Sequence, residues 1–435
     1  MLAGFEKLDI TPNPTTEPVF GLGYWFQRSI RFTGVRDPLF VRCAALGRGE
    51  SLYFLIGVDA VLDSFGFAPR AAERISREFN IPRDRVWIAC SHTHSAPVVG
   101  LNLTQEGADY GRFVEERIVE AAGKTVAHQT EATAFIVDGH VPGVLYNRRP
   151  ILADGTVAEL HGSTDLSQIT DPGPINDRMT LIQFQDTAGR LVGACCHFGI
   201  HGVCIQCSDQ ISADCMGRAI QRAEIDRPDP APIIFLNGPC GDIDPAEMGS
   251  EQALNHTTDR LYEALFKLLN HSGTPRDLNL KTSAANVFSA KRRSVRSESE
   301  LDRLRTQLEP RAHAETNPRH HAGPGYELFL LNQERVLARM PQTVDIEYRI
   351  LNLADLILVG LPGELFTDFG LGLAREFQSR RVLVVSHVNG WLGYFPLKKA
   401  FDQSGYEVTP SPWSRLAPGQ TEQLFNHICQ RVSQL

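Results

Sequence analysis

Short, nearly unbroken apolar runs alternate with segments of helical period along most of the chain. "SLYFLIGVDAV" (51–61), "RVWIACS" (85–91), "ATAFIVDGHV" (132–141), "MTLIQFQD" (179–186), "LVGACCHFGI" (191–200) and "PIIFLNG" (232–238) read as strands. Their continuity, rather than a strict apolar–polar alternation, is the pattern of strands covered on both faces. Between them, "APRAAERISREF" (68–79) and "GRFVEERIVEAAGKTV" (111–126) repeat apolar positions at helical spacing. So do Ala213, Met216, Ile220 and Ala223, behind Ser212 as N-cap with Asp214 in the first turn. Strands resume in "TVDIEYRILNLADLILVGL" (343–361), followed by a helix from about Leu365 to Arg380 and the strand "RVLVVSHV" (381–388). The alternation predicts an α/β fold, a layered mixed-sheet domain with helices.

Residues 290–340 differ. They are charged, helical in pattern and interrupted by Pro310, Pro318 and Pro324, which predicts a helical insertion lying over the sheet. No internal repeat, low-complexity segment or interdomain linker stands out, so residues 1–435 are expected to form one domain.

Composition narrows the function. Of 435 residues, 42% are hydrophobic and 22% charged, and the formal charge of −8 is spread along the chain. Without a basic stripe, no nucleic-acid partner is expected. The opening "MLAGFEKLDITPNP" has neither a basic segment nor a long apolar one, so no secretion signal is predicted. No run of about 18 apolar residues predicts a transmembrane segment. Nine cysteines, one CxxC (Cys204–Cys207) and no second pair to complete a four-thiolate site suggest reduced, mostly buried thiols. The expectation is a soluble, cytoplasmic protein.

Candidate chemistry gathers where predicted strands end. In "CSHTHSAP", His92 and His94 lie two apart, and in a strand such residues share a face. The pair reads equally as a metal ligand beside a second imidazole or as two packed polar residues. In "CCHFGIHG", His197 and His201 stand four apart along a strand, a spacing that does not predict joint ligation. Gly202, next to His201, would let the backbone pass close to a ligand. Asp242 and Asp244 in "NGPCGDIDP" could serve a site or bond turn amides. Glu364 follows a strand and a Pro-Gly turn, at the expected start of a helix, where its charge also suits the helix dipole. Tyr394 and Tyr406 lie in a glycine-punctuated loop. Ligands converging from several strand ends are how α/β proteins build sites.

Taken together, these segments resemble the neutral ceramidase family, zinc-dependent amidases that split ceramide into sphingosine and fatty acid. "SHTHSAP" is similar to the family's THTHSGP segment, "FGIHG" to its second histidine motif, and "SAD" (212–214) fits downstream. "NGPCGDIDP" resembles its GDVSP block and "LPGELFT" its PGE(F/L)T block. "NGWLGY", with "GYEV" twelve residues on, resembles its tyrosine segment. "AGFEKLDITP" and "RDPLFVRCAAL" fit as well, so the matches keep their order from residue 3 to about 408.

The resemblance implies zinc held by His92, His201, Glu364 and Tyr394, with His94 as the imidazole beside the metal-bound water. Arg148 in "YNRRP" matches an active-site arginine, with Arg149 as the alternative register. Tyr406 matches a second tyrosine that contacts the oxygen of the scissile carbonyl. Zinc suits three N/O ligands plus a phenolate. Attack of its water on an amide carbon, with His94 moving the proton, is the implied chemistry. Asp244 replaces a serine of the family, and Ala96, Val98 and Val99 stand where the family has a Gly-Gly segment. Only 29 residues follow Tyr406, so the family's C-terminal β-sandwich is expected to be absent. The implied activity is zinc-dependent hydrolysis of an N-acyl or other small amide, lipid-like amides included, ceramide being one candidate. Lactone or ester hydrolysis, or a non-catalytic zinc-stabilised binding protein, are the alternatives.

Overall fold

In the computed structural model, residues 1–22, 29–63, 66–98, 105–158, 166–271, 273–315 and 323–435 are described. Val99 and Pro318 lie outside them. Among the described residues, one arrangement of strands and helices occurs three times. The first unit comprises β1 (Leu2–Asp9), β2 (Phe40–Leu46), β3 (Tyr53–Val58), α1 (Phe67–Phe79), β4 (Val86–Cys90) and α2 (Gln105–Ala127). The second comprises β5 (Thr130–His140), β6 (Arg178–Asp186), β7 (Leu191–Phe198), α3 (Asp214–Ile225), β8 (Ile233–Asn237) and α4 (Glu251–Leu269). In the third, β9 (Thr282–Lys291) is followed by the helices α5 (Glu298–His313) and α6 (Pro324–Ala338). The unit then continues with β10 (Thr343–Asn352), β11 (Ile357–Gly360), α7 (Thr367–Glu376), β12 (Val382–Val385) and α8 (Gln420–Ser433).

Within each unit the first two strand pairings are antiparallel and the last is parallel. Units one and two join edge to edge through β1 and β5, giving the strand order β8-β7-β6-β5-β1-β2-β3-β4. The third forms a separate sheet of order β9-β10-β11-β12. In every unit the crossover from third to fourth strand is helical, as parallel pairing requires.

The two sheets pack face to face, and this explains the continuous apolar runs. On β4, Val86, Ile88 and Cys90 point to the helical side, among Ala68, Ala72, Val114 and Ile118 of α1 and α2. The alternate residues Trp87 and Ala89 point to the second sheet, against Leu358, Leu383 and Val385. β8 and β12 divide their residues in the same way. These strands are buried along their whole length, and apolar at every position but the terminal Asn237 of β8, because neither face meets water. Full burial of a side chain of this size stabilises by about 1.5–3 kcal/mol.

Several local expectations change. Asp214 opens α3 with Ala213 at the N-cap, while Ser212 accepts the Asp214 N–H at 3.0 Å. Pro310 sits within α5 near its C-terminus instead of breaking it. The α5–α6 hairpin has its own small core of Leu301, Leu308 and Leu331. No described helix is long and apolar enough to cross a membrane. Seven of the nine cysteines are buried, and none forms a disulfide.

Candidate metal centre and active site

In all three units, the loops leaving the parallel strand pair emerge at the carboxyl ends of its strands, where open α/β sheets place their ligands. β4 leads into His92 and His94, β7 into His201, β11 into Glu364 and β12 into Tyr394. A parallel bridge between Thr93 and Gly202, with the His94 N–H donating to the Gly202 carbonyl at 2.8 Å, clamps the first two loops together. Gly202 does permit a close backbone approach, but the neighbour is this loop and not a ligand. A Cβ there would stand 2.7 Å from Thr93 Cα and 2.8 Å from the His92 carbonyl oxygen. Glu364 does not open a helix. It pairs with Tyr394 in a two-residue parallel ladder ahead of α7.

The side chains converge tightly. Nε2 of His92 lies 3.0 Å from Nε2 of His201 and 3.4 Å from Nε2 of His94. Oε2 of Glu364 is 3.4 Å from Nε2 of both His92 and His201. His92, His201 and Glu364 are all 1–2% exposed. The outer nitrogens are fixed: Nδ1 of His92 faces the Val61 carbonyl at 2.6 Å, and Nδ1 of His201 faces those of Cys240 and Ile243 at 2.8 and 3.1 Å. A carbonyl can only accept, so each Nδ1 carries the hydrogen and each Nε2 presents a lone pair inward. Two inward lone pairs and an anionic oxygen are therefore packed together. Glu364 Oε2 makes no hydrogen bond to any described residue, whereas Oε1 accepts from Trp391 Nε1 at 2.9 Å.

Such a group fits a cation. Donors about 2.0–2.1 Å from a tetrahedral zinc stand about 3.3 Å from one another, close to the spacings found here. Burial alone would raise the Glu364 pKa, but with the His92 and His201 imidazoles protonated their charge outweighs it and holds the carboxyl well below its usual range. Burial, reinforced by His92 and His201, pushes the His94 imidazole well below its ordinary value.

Arg148 completes the far side. Its guanidinium donates to the Tyr394 hydroxyl at 2.9 Å and the Gly241 carbonyl at 2.8 Å, lies 2.8 Å from Glu407 and 3.4 Å from Asp244. Arg149 turns away, bonding Glu407 and the carbonyls of Ser404 and Ala400. Of the two registers, Arg148 is the one that meets the tyrosine. The phenol of Tyr394 is buried, and burial raises its pKa well above the usual value despite the nearby Arg148 charge. Tyr406 packs edge-on to Tyr394 with centroids 5.9 Å apart and is 45% exposed, stacked on Trp413. Trp413 in turn stacks on Phe329 of α6, 6.1 Å away, so the helical insertion reaches the site's aromatic rim.

Other expected residues support the site. Asp242 accepts the Thr367 N–H and hydroxyl at 2.7 and 2.8 Å and a bond from Asn147, tying β8 to the start of α7. Asp244 pairs with Arg148. His197 bonds the Val384 carbonyl and stays out of the cluster. Ala96 and Val98 are buried, with the Val98 N–H on the Phe20 carbonyl. Two residues were missed. Trp391 holds Glu364, and His387 stacks on His92 with centroids 4.2 Å apart. Both stand in strand-end segments noted above, and the repeated Ser-His after β4 and β12 was the available signal.

The fold has solved counterparts, although no protein-family model and no curated sequence matches the chain. Neutral ceramidase from Pseudomonas aeruginosa superimposes with a TM-score of 0.71 at 16% identity, over 99% of this chain and 74% of that one. A ceramidase complexed with C2 gives 0.72 at 15%, over 100% and 75%. The chain has the neutral ceramidase fold.

Proposed function

We propose that the chain is a zinc-dependent hydrolase of a carbon–nitrogen amide bond, acting on an N-acyl or other small amide. The convergence of two inward-facing Nε2 atoms on the unpartnered, buried Oε2 of Glu364 carries this proposal. His92, His201, Glu364 and Tyr394 would hold the ion. Zinc bound there supplies a Lewis acid for the carbonyl oxygen and a water that ionises near pH 7.

The chain's own groups do the rest. His94, kept neutral by burial, accepts a proton at Nε2 and returns it to the leaving amine. Arg148 keeps a positive charge against the Tyr394 hydroxyl, in the region where negative charge develops on the carbonyl oxygen. Tyr406 offers a second donor from the exposed side. The half-buried rings of Trp413 and Phe329 border this side and suit an apolar arm of the substrate; ceramide is one amide of that kind. A cytoplasmic location is part of the proposal, and cysteines outside any disulfide suit a reducing compartment.

Metal analysis tests the ligand set: about one zinc per chain is expected, with loss in His92→Ala and His201→Ala. Full zinc in both variants refutes the assignment. His94→Ala should keep zinc and lose ~10²–10⁴-fold in turnover. A panel of N-acyl amines, N-acyl amino acids, esters and lactones separates the reactions. Preferred cleavage of lactones would replace the amide, and no turnover at full zinc occupancy would leave a binding protein.

A further inference from the structure

His387 occupies, in the third unit, the place that His92 occupies in the first. Each stands two residues beyond the end of its unit's fourth strand, after a serine, and each backbone is left-handed, with φ of 58° and 67°. The rings lie nearly parallel, 17° between planes and 4.2 Å between centroids. Behind the stack, Nε2 of His387 is 3.9 Å from Sγ of Cys240, whose carbonyl holds Nδ1 of His201. The His387 carbonyl accepts from the Cys90 N–H at 3.4 Å, and its N–H donates to Gly363 at 3.3 Å, one residue before Glu364. Nδ1 is buried with no hydrogen-bond partner among the described residues. Among the described residues, the ring's hydrogen bonding is therefore limited to the long contact of Nε2 with the Cys240 thiol. What it provides is a flat face against His92.

We propose that His387 is a positioning residue whose ring fixes the plane of the His92 imidazole. It thereby holds Nε2 of His92 at its 3.0–3.4 Å separations from His201, His94 and Glu364. The proposal rests on the metal-centre assignment above. Behind the cluster, only the hydrogen bond from Nδ1 to the Val61 carbonyl orients the His92 ring, and a ring anchored there at one atom can still swivel about that bond. A stacked partner removes this freedom, the usual part played by groups behind a metal ligand.

Two substitutions separate the ring from the backbone. His387→Asn tolerates the left-handed conformation but has no ring; His387→Phe keeps the ring and accepts that conformation less readily. The zinc dissociation constant, from chelator competition, and the visible absorption of the cobalt(II)-loaded protein are the readouts. His387→Asn should bind zinc ~10–100-fold more weakly, with an altered cobalt spectrum, while His387→Phe should stay within about threefold of the parent. If His387→Phe does not fold by circular dichroism, His387→Tyr takes its place. Parent-like affinity in His387→Asn, or ring variants as weak as His387→Asn, overturns the proposal. Absence of zinc binding by the parent chain overturns the metal centre itself, a separate result.

Discussion

Replacing Glu364 by glutamine removes one buried negative charge from the cluster with little change of shape. Trp391 can still donate to the side-chain oxygen, so the fold should survive. The inward oxygen, 3.4 Å from both imidazoles, is exchanged for a neutral amide. On the proposed zinc site, a free zinc concentration 100 times the dissociation constant would stabilise the parent by about 2.7 kcal/mol. Unfolding entropy for 435 residues is about 0.9 kcal/mol per kelvin, so the melting temperature should rise by about 3 °C. A 100-fold weaker variant at the same zinc concentration gains only about 0.4 kcal/mol, less than 1 °C. Differential scanning calorimetry with chelator and with buffered zinc reads both values. Raising zinc a further 100-fold should restore the shift in Glu364→Gln, because ligand loss weakens the site without remodelling it. A variant that keeps the full 3 °C rise at the lower concentration refutes Glu364 as a ligand.

Three other outcomes follow from the geometry. Gly202→Ala places a methyl 2.7 Å from the Thr93 backbone, so urea melts should show a loss of about 1–3 kcal/mol and zinc binding should weaken as the two histidine loops separate. Burial pushes the Asp242 carboxyl up from 3.8 to about 6, so its contribution favours the fold below about pH 4 and is lost as pH rises through 6. Relative to Asp242→Asn, the parent should lose about 3 kcal/mol of stability between pH 4 and pH 7, and parallel curves would contradict the shift. Tyr406→Phe removes a hydroxyl from a 45% exposed side chain, so turnover should drop ~10²–10³-fold while stability stays within about 0.5 kcal/mol.

Strand and helix positions were legible because both faces of the central strands are covered, which leaves long apolar runs that turn residues punctuate. His92, His201 and Glu364 were legible as strand-end polar residues, but only tertiary packing brings their side-chain atoms within 3.4 Å. Glu364 shows the limit. Its local context predicted a helix start, and pairing with Tyr394, thirty residues on, overrode it. His387 was hidden for a similar reason: the isolated bridge from Ala89 to Val388 brings β4 and the end of β12 together, and nothing local marks that contact. The threefold topology leaves no repeat in the sequence because the shared feature is pairing direction, which each unit achieves with different side chains.

Distribution of the centre over all three units has a consequence for motion. No unit owns a complete set of donors, since His92, His201 and Glu364 belong to the first, second and third. Local opening of any one unit would dismantle the cage, so a bound ion resists the opening of each. Hydrogen exchange should then slow together in strands from both sheets when metal is added, including backbone amides far from the centre. An ion seated within a single unit would protect that unit alone.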